Sequence, residues 1–214
     1  DLHSFPTRRS SDLPTVTLSH NGVLFLDELP EFGKAVLEVL RQPLEDGQVT
    51  VARVNATLTF PSRMILVCAM NPCPCGWNGD KEKPCTCAPN EIKRYTRKIS
   101  GPLLDRIDIH IRVPRVEYKE LTASQPAESS AVIRQRVTAA RRRQIERLQD
   151  FQAVCNAQMS HAVLKKTCSL TAEAQKLLEQ AFHRMNMSAR SYDRIIKVAR
   201  TIADLDNQEK IAGW

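Results

Sequence analysis

The apolar positions of this chain fall into a few short runs and several helical stripes, and the runs come first. Gly22-Val23-Leu24-Phe25-Leu26 is continuous and apolar, as in a strand buried on both faces, and it stops at Asp27-Glu28. Ala35, Val36, Val39 and Leu40 then recur at helical spacing between Ala35 and Leu44, where Pro43 tells against a long continuation. Past the Asp46-Gly47 turn, β-branched residues at Val49, Val51, Val54, Thr57 and Thr59, with Phe60, predict a β-hairpin from Gln48 to Phe60. Met64 to Ala69 is a second buried-strand candidate that ends at Asn71-Pro72. A loop rich in cysteine and proline runs on to about Asn90, and Glu91 to Ser100 is predicted helical. Leu103-Leu104-Asp105-Arg106 leads into a third predicted strand, Ile107 to Val113, whose apolar residues alternate.

Composition shifts between Thr122 and Ser130, where Ser, Pro, Gln and Ala mark a linker. Three helical segments follow. The first, Ala131 to Asp150, has Ile133, Val137, Ala140 and Leu148 close to one face. The second starts at Thr171, a good N-cap, and carries Ala174, Leu177, Leu178, Ala181 and Phe182. The third starts after Ser188, with Tyr192, Ile195, Ile196, Ala199 and Ile202 as its apolar face. The fold class is therefore α/β over residues 14–122, followed by a small all-α domain over 123–214.

The 214 residues are 42% hydrophobic and 26% charged, ordinary values for a chain with a sizeable core. A net charge of +7 permits an anionic partner such as nucleic acid or nucleotide, and a solvated basic surface explains it equally well. Neither an apolar run of ~18 residues nor a signal-peptide pattern is present, so the cytoplasm is the expected compartment and no membrane partner is expected. Seven cysteines there are thiols or metal ligands rather than disulfides. Residues 1–13 do not share the patterning of the rest of the chain. Ser4-Phe5-Pro6-Thr7-Arg8-Arg9-Ser10-Ser11-Asp12-Leu13 looks like a translated sequencing adapter, a natural polar tail being the alternative. Either way this segment contributes nothing to the predicted fold.

Three features carry candidate chemistry. A carboxylate at the C-terminal end of a buried parallel strand sits where open α/β sheets bind ligands, so Asp27 could hold Mg²⁺ and Glu28 polarise a water; the plainer reading is the start of a loop. Cys73-Pro74-Cys75 and Cys85-Thr86-Cys87 are two Cys-x-Cys pairs that could complete a tetrahedral zinc site, with reduced thiols as the alternative. Cys68, Cys155 and Cys168 read as buried structural residues. Arg134, Arg136, Arg141, Arg142, Arg143 and Arg147 crowd one helix in several directions, which favours a solvated helix over a DNA-binding stripe.

The stretch from Asn21 to Phe32, with its apolar strand and Asp27-Glu28, resembles the Walker B block of YifB/ComM-type proteins, a magnesium-chelatase-like group of AAA+ ATPases. The resemblance continues, in order, through Arg41 to Gly47, Ala69 to Gly76, Ser100 to Asp108 and Ala199 to Leu205, nearly everything after residue 14. It implies the C-terminal part of an AAA+ P-loop NTPase core followed by a helical lid domain. By the same resemblance Asn71 matches sensor 1, where an amide would orient water between Glu28 and the γ-phosphate. Arg106 matches the arginine finger, against the alternative of a salt bridge with Asp105 or Asp108, and Arg94 and Arg97 are weaker candidates for the same inter-subunit surface. Arg190 resembles a sensor 2 arginine; with Arg194 and Lys197 it forms a cationic stripe that a solvated helix face would also explain. The hairpin matches the pre-sensor hairpin, and Arg53 near its turn could touch a DNA phosphate.

Gly-x-x-x-x-Gly-Lys-Ser/Thr occurs nowhere in the sequence, so the phosphate-cradling loop is expected upstream and this stretch alone is expected not to hydrolyse ATP. The resemblance implies ATP and Mg²⁺ as cofactors, a homo-hexamer, and ATP-driven DNA branch migration linked to competence. The ATPase subunit of a magnesium chelatase and a zinc-ordered basic DNA-binding module without catalysis are the competing readings.

Overall fold

The computed structural model describes residues 16–53, 56–114, 128–185 and 187–213. They form two compact units that divide between His110 and Ile111. The anticipated boundary after residue 122, most of the linker and residues 1–13 lie outside the described residues.

In the first unit, strand β1 (Val23–Leu26) is followed by helices α1 (Lys34–Val39) and α2 (Arg41–Asp46). The single helical stretch anticipated here is broken at Leu40. Pro43 is the third residue of α2, where its missing N–H costs no helical bond, so it starts a helix rather than ending one. Gly47 closes α2 at φ 65° with its amide on the Pro43 carbonyl at 3.0 Å, a left-handed position that suits glycine. The hairpin forms as anticipated from β2 (Gln48–Arg53) and β3 (Ala56–Pro61), antiparallel and in register from Gln48 opposite Pro61 to Arg53 opposite Ala56. Residues 54 and 55 and the side chain of Arg53 lie outside what is described.

Strand β4 (Ile65–Cys68) pairs parallel to β1, from Val23 opposite Ile65 to Leu26 opposite Cys68. Leu24 and Leu26 point into a core with Leu29, Leu37, Leu40, Val49, Ile99 and Leu103. Burial on both faces does not hold: Val23, Phe25, Ile65 and Val67 are 59%, 44%, 64% and 41% exposed. The described residues cover the sheet on one side only, whereas parallel sheets are ordinarily covered on both. After the cysteine loop come α3 (Pro89–Thr96) and the short α4 (Gly101–Leu104), the latter capped by Ser100 Oγ accepting from the Leu103 amide.

The third predicted strand does not form among the described residues. Ile109, Ile111 and Val113 are exposed, and a strand whose amides and carbonyls meet no neighbouring ladder has nothing to hold it extended.

The second unit is helical: α5 (Ser130–Leu148), α6 (His161–Thr167), α7 (Ala172–Arg184) and α8 (Ala189–Leu205). Ser129, Ser160, Thr171 and Ser188 cap them in turn through side-chain oxygens that accept from the amides of Val132, Val163, Ala174 and Ser191. Helix α6, with the 3₁₀ turn Asn156–Gln158 before it, is additional to the three anticipated helices. The core is Leu148, Ala153, Met159, Leu164, Cys168, Ile196, Ala203 and Ile211.

Two anticipated apolar faces are corrected. Ala140 and Leu148 are buried as anticipated, but Ile133 and Val137 are exposed, and Gln144 completes the buried i, i+4, i+8 line of the second half of α5. On α8 Ile196 is buried and Tyr192 and Ala199 pack against the core as anticipated, but Ile195 and Ile202 are exposed, and Arg200, Ala203 and Asp204 complete the buried face. That face is partly ionic. Asp204, 1% exposed, accepts from Arg147 Nη1 at 2.7 Å and Nη2 at 2.6 Å, and from Asn156 Nδ2 at 2.9 Å. Arg200 is equally buried, its Nε 3.2 Å from Asp204 Oδ1, and it donates to the carbonyls of Glu209 and Gln208. Arg143 Nη1 reaches the Asp204 carbonyl at 2.6 Å. Two of the six arginines read as solvated thus hold the helical unit together. No helix among the described residues is long and apolar enough to cross a membrane.

Candidate functional site

Parallel pairing of β1 with β4 sends both strand ends to one edge. The ladder continues past the strands, with the Ala69 amide on the Leu26 carbonyl at 2.9 Å and the Leu29 amide on the Ala69 carbonyl at 3.0 Å. These bonds bracket Asp27 and Glu28 on one chain segment and place Asn71 two residues on along the other. All three residues are exposed, as a ligand would require. Backbone conformation contributes too: Glu28 is left-handed, at φ 50° and ψ 45°, a state that costs a non-glycine residue roughly 1–2 kcal/mol. Strain of this kind at the mouth of a strand is a common mark of a working site. The Glu28 amide donates to Asp27 Oδ1 at 2.9 Å, which holds the Asp27 carboxylate against the backbone of the next residue.

Behind this edge stands Tyr95 of α3, buried and close to the backbone of Asn71. Burial, with the Glu31 and Glu28 carboxylates nearby, pushes the Tyr95 phenol up, so it stays neutral. Lys98 lies 5.7 Å from the Tyr95 ring centre and 3.2 Å from Glu31 Oε1. Tyr95 is a buried neighbour of this edge that sequence reasoning missed; a tyrosine in a predicted helix carries no signal that it faces a strand end.

Arg106 follows α4 and is turned inward. One Nη donates to the Pro102 carbonyl at 2.6 Å and the other meets Glu45 of α2 in an ion pair. Its partner is neither Asp105 nor Asp108. Arg94 and Arg97 lie on and just after α3 along an open cavity of about 700 Å³, whose lining also includes Lys34, Lys93 and Lys98. Arg190 is exposed in the first turn of α8 and belongs to the second unit. Lys197 of the same helix donates to the Ala157 carbonyl at 3.0 Å.

The four loop cysteines come together. Cys73 Sγ lies 3.4 Å from Cys75 Sγ and 3.7 Å from Cys85 Sγ, Cys75 and Cys85 are 3.6 Å apart, and all four sulfurs including Cys87 lie within 4.8 Å of one another. Backbone amides of Trp77 and Thr86 directed at Cys75 hold its thiol down at about 5. Burial first, then the neighbouring sulfurs, push Cys87 up to about 12. Of the three remaining cysteines only Cys168 is fully buried; Cys68 and Cys155 are half-buried, and burial raises Cys68 to about 11.

The structure therefore brings Asp27, Glu28 and Asn71 to one edge, gathers Cys73, Cys75, Cys85 and Cys87 into one cluster, and keeps Arg106 on Glu45. Residues 9–121 match the family described as magnesium chelatase, subunit ChlI, and residues 127–213 match its C-terminal family. The chain is 42% identical over 198 residues to the uncharacterized protein YifB of Escherichia coli, 41% over 198 to the competence protein ComM of Haemophilus influenzae, and 39% over 199 to YifB of Salmonella typhimurium. Each match covers 92% of this chain but 38% of the relative, so the chain spans well under half the length of these proteins. With both families matched in order and these identities along almost its whole length, the chain belongs to the magnesium-chelatase-like AAA+ family, of the YifB/ComM type.

Proposed function

We propose that the protein is a nucleotide-hydrolysing subunit of a homo-hexameric motor that remodels DNA, by branch migration in the service of competence. One observation carries the reading: Asp27, Glu28 and Asn71 emerge together at the C-terminal edge of two paired parallel strands, where sheets of this class bind ligands. Bound Mg²⁺-ATP would supply the γ-phosphate as electrophile and the cation as charge neutraliser. Asp27 offers a hard oxygen donor of the kind that holds Mg²⁺, commonly through water. Glu28 accepts a proton from the attacking water, and Asn71, donor and acceptor at once, orients that water. Arg106 leaves Glu45 to meet the nucleotide of a neighbouring subunit, and Arg190 contacts phosphate from the helical domain.

The name of the Haemophilus influenzae relative, a competence protein, supports the DNA reading. The description of the matched family supports the other one, the ATPase subunit of a magnesium chelatase. A branch-migration assay on a three-strand DNA junction with the full-length protein separates them. The motor reading expects ATP-dependent migration that Glu28→Gln abolishes. Migration that survives Glu28→Gln while ATP hydrolysis is lost, or none at all with the wild type, sinks it.

A further inference from the structure

We propose that Cys73, Cys75, Cys85 and Cys87 bind a single zinc ion as a closed tetrathiolate site, and that this ion orders the loop between β4 and α3. The assignment of the ion stands apart from the ATPase reading; its consequence for Asn71 rests on that reading.

The first support is metric. A zinc–sulfur bond is about 2.3 Å, and a regular tetrahedron with that radius has sulfur–sulfur edges of about 3.8 Å. The observed separations of 3.4, 3.6 and 3.7 Å outline one face of such a tetrahedron, and Cys87, inside the same 4.8 Å limit, supplies the fourth corner. Four thiols have little reason to converge otherwise, since S–H is a weak donor and sulfur a weak acceptor.

The second support is the loop itself. Residues 69–88 contain no helix or strand, and Cys73 alone among them is buried. A stretch of this length without a core of its own needs something else to order it. Lys83 lying 4.0 Å over the Trp77 ring is a surface contact that does not replace a core.

The donor set selects the metal. Four thiolates with no histidine or carboxylate suit zinc and leave no open position, so the site is structural. An iron–sulfur cluster spreads its thiolates over several irons, whereas these sulfurs are close enough to share one ion. Binding releases the remaining thiol protons to solvent and involves no electron transfer. Cys73 lies two residues after Asn71 and Cys87 two before Pro89, the first residue of α3, so the ion ties the strand end to the helix that carries Tyr95.

The test is elemental analysis of the full chain purified under reducing conditions from zinc-replete cells. About one zinc per chain is expected, with no iron. Cys75→Ser and Cys87→Ser should each lose it while Cys155→Ser retains it, with circular dichroism to show which variants remain folded. Should the cluster variants unfold, the wild type still decides: mercurial titration should release one zinc as four thiols react, and cobalt replacing zinc should give the intense visible bands of a tetrahedral thiolate site. A chain without zinc whose thiols all react freely, stoichiometric iron, or zinc unchanged in both folded variants would overturn the proposal.

Discussion

The amide of Ala69 donates to the carbonyl of Leu26 at 2.9 Å, and this bond carries the parallel ladder one step beyond strands β1 and β4. Because of it, the acidic pair after Leu26 and the asparagine after Met70 leave the sheet side by side. The geometry of the candidate nucleotide edge is thus a consequence of strand register, and substitutions there should separate chemistry from folding.

Glu28 illustrates the separation. Its left-handed backbone is strained for any residue with a Cβ, and glycine relieves that strain at some cost in unfolded-state entropy. Glu28→Gly is expected to raise unfolding stability by up to about 1 kcal/mol, and Glu28→Ala to leave it nearly unchanged. Both should abolish ATP hydrolysis by the full-length protein. Urea denaturation beside a phosphate-release assay reads both effects; a large loss of stability in the glycine variant would show that Glu28 serves the fold instead.

Arg106 is held by Glu45, a pair partly open to solvent, so the contact contributes little to stability. Arg106→Ala should reduce hydrolysis by the assembled protein by about 10³ or more. Glu45→Gln should leave that rate unchanged or raise it, since it frees the guanidinium. A drop with Glu45→Gln as deep as that with Arg106→Ala would mean that the ion pair itself is the working unit.

The buried network of the helical unit gives the largest stability effect. Asp204→Ala strands Arg147 and Arg200 without their carboxylate, and should destabilise that unit by about 3–5 kcal/mol. Replacing exposed Ile195 with serine should cost less than about 0.5 kcal/mol. Thermal unfolding followed by circular dichroism compares the two, and equal effects would contradict the burial pattern.

Much of this was legible in the sequence. Runs of continuous apolar residues located β1 and β4, and Ser/Thr before a helical stripe located α7 and α8, because both signals are local. What failed depends on partners distant along the chain. Ile107 to Val113 alternates like a strand yet meets no ladder among the described residues, and α5 has the composition of a solvated helix although Arg143 and Arg147 reach Asp204 on α8. Helix α6 was missed because a seven-residue element is too short for its periodicity to stand out. The convergence of the two Cys-x-Cys pairs was foreseeable, because their spacing is local.

Glu38 on α1 provides a pH test of the unit that carries the candidate nucleotide edge. A hydrogen bond from the Ser100 side chain, and then one from Arg41 at 2.6 Å, hold its carboxyl below the usual value of 4.5. A carboxylate depressed in the folded state adds stability that is fully present above 4.5 and is lost as the pH falls through the lowered folded value. Ser100→Ala should move the Glu38 titration, followed by carboxyl carbon NMR, upward toward 4.5. An unchanged titration would show that Arg41 alone is responsible.

The most direct measurement is the separation of ATP affinity from ATP turnover in the full-length protein carrying Glu28→Gln. Proton acceptance by Glu28 predicts Mg²⁺-ATP binding within a few-fold of wild type and turnover reduced by about 10² or more. Turnover close to wild type, or affinity and turnover lost together because the protein no longer folds, would contradict the placement of Glu28 at the reacting water.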